Sequence, residues 1–154
     1  MTAPGDFTVG DVLQASDMNG LPAGIVGDSS TTSGYTLTGT LADIPGLSFT
    51  FNAVSGRLYR FLFYCGSTEN AAVGTYRINL KMDLNGTEIQ NGYYGPIPYG
   101  YPWLMTGLWS PGTPAAGSIT AKVRGYRDAG ASGGYLYADA GTPMRFFCED
   151  IGEA

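Results

Sequence analysis
The chain of 154 residues contains no histidine, only two cysteines, and only eight lysines and arginines, none of them before Arg57. Without histidine, the commonest general base and the commonest zinc ligand are both missing. The scarcity of cations, with a net charge of −5 and no basic run, argues against an electrostatic grip on nucleic acid or anionic lipid. Two cysteines are too few for a disulfide scaffold. Gly and Pro interrupt every apolar region, so no stretch approaches the length of a membrane helix. The opening Met1-Thr2-Ala3-Pro4-Gly5-Asp6 lacks the basic and apolar runs of a secretory leader. The expectation is a soluble, non-enzymatic single domain.

What the chain does have is glycine (24 residues), aromatics (13%) and an uneven distribution of charge. The first 56 residues hold Asp6, Asp11, Asp17, Asp28 and Asp43 and no cation, whereas the remainder carries eight charges of each sign. Residues 1–24 contain the material for one short helix (Val12, Leu13, Ala15, Ser16, Met18, Asn19) stopped by Gly20 and Pro22. So little apolar surface does not hold a helix alone. The segment is therefore read as a docking arm, with Phe7, Val9, Val12, Leu13, Met18 and Leu21 as its contact residues, and residues 25–154 as the domain. Residues 27–34 (GDSSTTSG) read as a polar linker.

Beyond that point the period-2 signal dominates. Residues 35–41 alternate, and Leu47, Phe49, Phe51 and Ala53 share one face. Ser55-Gly56 turns the chain into residues 58–65, apolar on both faces apart from Arg60 and so central to a sheet. In residues 75–84, Tyr76, Ile78, Leu80, Met82 and Leu84 face inward and Arg77, Asn79, Lys81 and Asp83 outward. Asn85-Gly86 predicts a type I′ hairpin returning through residues 87–90. Strands near residues 103–109, 118–126, 135–138 and 144–150 follow, with a Gly-rich loop over 128–134. About eight strands with short connections predict an all-β fold, an antiparallel β-sandwich of jelly-roll type preceded by the short N-terminal arm.

No catalytic constellation emerges: serines lack a histidine to activate them, and the adjacent Glu149-Asp150 pair points to opposite faces of a strand and reads as a solvated chain end. Asp83 to Glu88 superficially resembles the start of a calcium loop, but the hairpin accounts for it and the other ligand positions are missing. No cofactor or metal is expected. Cys65 and Cys148 read as two buried thiols, with a disulfide as the alternative. One feature exceeds background: residues 89–121 carry no charge for 33 residues and include Tyr93, Tyr94, Tyr99, Tyr101, Trp103 and Trp109. Residues 93–102 (YYGPIPYGYP) form a Pro/Gly-stiffened aromatic loop suited to an oligomer interface or a sugar-stacking platform. A loop packed back over one end of the sandwich is the competing reading.

Three segments resemble those of small virion proteins of tailed bacteriophages, especially phages of actinobacteria. They are residues 7–22 (FTVGDVLQASDMNGLP), like the opening of many minor tail and fibre-type proteins, residues 49–60 (FTFNAVSGRLYR) and residues 138–152 (ADAGTPMRFFCEDIG). The resemblance implies a non-enzymatic β-sandwich on the virion, assembled in the host cytoplasm, often a homotrimer, attached by its N-terminal arm to capsid or tail proteins. A capsid-decorating minor capsid protein or a short minor tail protein is the leading expectation. The alternative is a tail-tip module that uses the aromatic 93–109 segment on a host receptor or surface glycan.

Overall fold
The computed structural model describes residues 21–69, 77–94, 101–111, 117–128 and 134–154. Ten strands run in chain order among the described residues: β1 (Gly24–Thr31), β2 (Tyr35–Thr36), β3 (Ala42–Ala53), β4 (Arg57–Glu69), β5 (Ile78–Leu84), β6 (Thr87–Tyr94), β7 (Tyr101–Trp109), β8 (Gly117–Arg127), β9 (Tyr135–Tyr137) and β10 (Met144–Glu153). No helix among the described residues is long and apolar enough to cross a membrane.

All pairings are antiparallel, and the main ones are nested: β1 with β10, β3 with β8, β4 with β7, β5 with β6. The chain therefore behaves as one long double strand rolled upon itself. Its strands alternate between a β1-β10-β4-β7 sheet and a β3-β8-β5-β6 sheet. Two sheets of four in this order make a jelly roll. The short strands β9 and β2 extend the first sheet: Thr68 of β4 pairs with Leu136 of β9 and with Tyr101 of β7, so these two neighbours flank β4 on opposite sides.

The interior follows the predicted alternation. Leu47, Phe51 and Ala53 of β3, Tyr59, Phe61, Phe63 and Cys65 of β4, Ile78, Leu80 and Met82 of β5, and Phe146 and Cys148 of β10 are buried between the sheets. Phe49 stacks at 4.9 Å on Phe146, and Phe51 lies 5.2 Å from Tyr59, so tilted aromatic pairs bind the layers together. Asn85 (φ 49°) and Gly86 (φ 90°) both take the left-handed conformation of a type I′ hairpin.

Four expectations need correction. Residues 27–34 are not a linker: most of the segment is β1, whose backbone is satisfied by the β10 ladder. Its Gly27 leaves room for the Phe49 ring, which would lie 2.4 Å from a Cβ there. Residues 35–41 form only the two-residue β2 before the chain turns off toward β3. Asn79 and Asp83 face outward by parity yet are buried, because Asp128 and Arg124 cover them: Asn79 Nδ2 donates to Asp128 Oδ1 (3.0 Å), and Arg124 pairs with Asp83. Finally, Tyr93 and Tyr94 belong to β6, and Tyr101 and Pro102 to β7. The expected loop thus shrinks to residues 95–100, which lie outside the described residues, as do the predicted arm helix and most of the 128–134 loop.

Candidate functional site
At the start of β4 and toward the end of β10, Arg57, Arg60, Glu149 and Asp150 form two ion pairs. In a strand, residues three apart fall on opposite faces, as do adjacent residues. Arg57 and Arg60 therefore part, one inward and one outward, and Asp150 and Glu149 part in the same way. The inward pair is buried, with Arg57 8% and Asp150 6% exposed. Arg57 Nε donates to Asp150 Oδ2 (2.9 Å), and its Nη2 donates to Oδ1 (2.7 Å) and to the Leu21 carbonyl (2.6 Å). The Gly152 N–H, in the β10 bulge, also donates to Asp150 Oδ1 (3.0 Å). Outside, Arg60 grips Glu149 through Nε (2.8 Å) and Nη2 (2.5 Å). Glu149-Asp150 is therefore no solvated chain end. It is a double clasp between β10 and β4, and its inner half holds the chain at Leu21.

The outer surface of the β1-β10-β4-β7 sheet exposes several large apolar side chains. Register places its side chains in three rows: Leu104, Tyr64, Arg145 and Ser30; Thr106, Leu62, Phe147 and Asp28; Leu108, Arg60, Glu149 and Ile25. Leu104, Leu108 and Ile25 are each more than 60% exposed, and Tyr64 is exposed beside them. Leu21 and Val54 add exposed apolar surface at the clasp end. A shallow depression of about 520 Å³ along β1 and β10 is lined by Ile25, Asp28, Ser30, Arg145 and Phe147, among others.

The opposite outer surface, on β3-β8-β5-β6, is polar and internally paired. Lys122 Nζ donates to Asp43 Oδ2 (2.6 Å), and Arg124 Nε stands 3.0 Å from Asp43 Oδ1 as an ion pair outside hydrogen-bonding geometry. Lys81 pairs with Glu88, which also accepts from Asn91 Nδ2 (2.5 Å). The Lys122 hydrogen bond holds the Asp43 carboxyl below its usual range, and the Lys81 hydrogen bond does the same for Glu88. Asp83 accepts the Gly86 N–H (2.6 Å). The carboxylates that resembled a calcium loop are thus taken by the hairpin and by cations. The two surfaces therefore differ in kind: one satisfies its own charges, and the other leaves apolar side chains in solvent.

The expected contact residues fall as follows. Phe7, Val9, Val12, Leu13, Met18 and Tyr99 lie outside the described residues, and Leu21 is exposed at the clasp. Tyr93, Tyr94 and Tyr101 are placed on β6 and β7. Trp103 is only 4% exposed, and Trp109 packs against Phe51 and Tyr59, so both indoles serve the protein's own core rather than a surface. The reason is parity: Trp103, Met105 and Gly107 face in, which turns Leu104, Thr106 and Leu108 out. Aromatic content drew attention to the tryptophans, whereas alternation within the uncharged run would have selected the leucines.

Cys65 and Cys148 are both free and buried. Cys148 pairs with Phe61, four residues from Cys65 along β4. That offset, about 13 Å at the strand rise, is too long for a disulfide. Burial raises both thiols, and Asp150 and Glu149 help push Cys148 to about 12.

No protein-family model matches the chain, and no curated protein matches it. Among solved structures, one titled as the structure of infectious bursal disease virus Gx strain aligns at 13% identity and a TM-score of 0.28. The alignment covers 86% of this chain, which spans 40% of the length of that one.

Proposed function
We propose that the protein is a non-enzymatic structural component on the exterior of a bacteriophage virion, anchored by its N-terminal arm as a minor capsid (decorating) or minor tail protein. One observation carries this reading. The three segments that resemble phage virion proteins are far apart in sequence, yet Leu21 of the first, Arg57 of the second and Asp150 of the third meet in one buried clasp. The clasp fixes where the arm departs from the sandwich. An acidic arm bearing Asp6, Asp11 and Asp17 between apolar residues suits a receptor with apolar grooves and basic rims.

Deleting residues 1–20, which leaves Leu21 and β1 intact, is the test. The shortened protein is expected to keep its β-sheet circular dichroism and cooperative unfolding while losing incorporation into particles assembled with it in trans. Undiminished incorporation of the folded, shortened protein overturns the reading.

A further inference from the structure
Strand β7 is joined to its sheet through β4, and among the described strands nothing pairs with its other edge. Monomeric sheet proteins protect such an edge with lysine, an inward charge, a bulge or a very short strand. This edge strand is nine residues long and carries no charge, and Pro102 restricts only its beginning. Beyond Pro102, its exposed residues are Leu104, Thr106 and Leu108. The sequence of residues 103–109, WLMTGLW, also reads nearly the same in both directions about Thr106.

That symmetry has a physical consequence. When two identical strands pair antiparallel about a two-fold axis, residue i faces the residue equally far beyond the centre. With the axis at Thr106, Trp103 stands opposite the partner's Trp109, Leu104 opposite the partner's Leu108, and the large Met105 opposite the partner's Gly107. Thr106 faces its own copy. Moving the axis by one residue, to Met105, sets Leu104 against the partner's Thr106 and Trp103 against the partner's Gly107, which breaks both like pairs. We propose that β7 is a self-association edge, and that its occupant is β7 of a second copy of this chain, paired antiparallel about Thr106. The pairing joins two β1-β10-β4-β7 sheets into one continuous sheet. It also brings the exposed Leu104 and Leu108 of both copies into one apolar stripe, with Tyr64 beside each Leu104 and the aliphatic stem of Arg60 beside each Leu108 on the neighbouring β4.

The inference does not depend on where the protein acts, and its test needs only the full-length protein in solution. Wild type is expected to sediment at twice the chain mass at micromolar concentration, and Leu104→Lys with Leu108→Lys at the monomer mass with unchanged circular dichroism. Mild oxidation is expected to link Thr106→Cys into a covalent dimer, because facing Cα atoms of an antiparallel pair lie about 4.5–5.5 Å apart, within disulfide reach. Leu104→Cys alone should not link, since its two copies lie about 13 Å apart at the strand rise. The native Cys65 and Cys148 are fully buried and contribute no background. A monomeric wild type, or an oligomer whose Thr106→Cys variant does not cross-link, overturns the proposal. Either result leaves the arm-deletion result to be judged by particle incorporation alone.

Discussion

At the scale of single residues, the clasp is where the protein is most sensitive. A buried ion pair gains little over a well-packed apolar pair, but removing one partner strands the other charge in a low-dielectric site. Arg57→Ala leaves Asp150 with only the Gly152 N–H among its described partners and also frees the Leu21 carbonyl. The expected loss is about 3–5 kcal/mol, read from the urea midpoint at constant m-value. Arg60→Ala, which cuts the half-exposed outer pair, should cost about 1 kcal/mol or less. Equal losses from the two variants would contradict the assignment of inner and outer roles. The thiols supply a second check. With Cys148 at about 12 and Cys65 raised in the same direction, neither is thiolate near neutral pH. Native protein at pH 8 should resist alkylation by iodoacetamide, and two equivalents should react once urea unfolds it. Rapid labelling of the folded protein would show that the interior between β4 and β10 opens readily.

At the scale of elements, what was legible in the sequence depended on whether a strand has one face buried by its own apolar residues. β3, β4 and β10 announced themselves, because Leu47, Phe51, Tyr59, Phe61, Phe63 and Phe146 recur at every second position. β1 did not, because its Ser and Thr residues contribute no apolar face; it exists through ladder bonds to β10 and through the space at Gly27. Local patterning cannot reveal a strand whose stability resides in its partner. The clasp was hidden for a related reason. Arg57 and Asp150 lie 93 residues apart, and only their matching parities, Arg-x-x-Arg against Glu-Asp, foreshadowed the double pairing. β1 offers a direct test of this account. Gly27→Ala drives a methyl into the Phe49 ring, and overpacking of this kind typically costs about 1–3 kcal/mol. The neighbouring exposed Asp28→Ala should change stability by about 0.5 kcal/mol or less. A harmless Gly27→Ala would mean that β1 does not close against β3 as described.

At the scale of the whole molecule, nested pairing repairs the uneven charge of the chain. The cation-free first 56 residues supply β1 and β3, and these lie beside β10 and β8, which bring Arg145, Lys122 and Arg124. Asp43 thereby gains Lys122 and Arg124 as partners across 79 and 81 positions, the latter being 124 minus 43. This arrangement fixes the sign of the acid response. The folded-state values of Asp43 and Glu88 lie below their ordinary values of 3.8 and 4.5. Their contribution is therefore fully present above those ordinary values and is lost as pH falls through the lower folded ones. Both groups are largely solvated, so each contributes only a fraction of a kcal/mol, and added salt should weaken it further. Stability is thus expected to be flat with respect to these two groups between about pH 5.5 and 8 and to decline below about pH 4.5. Lys122→Met removes the main cause of the Asp43 shift while leaving the aliphatic stem in place. Its urea midpoint should draw closer to that of wild type as the pH falls below the ordinary carboxyl value of 3.8, because the wild-type pair loses its contribution there while Lys122→Met has none to lose. If the gap between the two proteins stays constant from pH 7 to 3, the polar sheet is not held by this pairing, and the loss in Lys122→Met reflects packing alone.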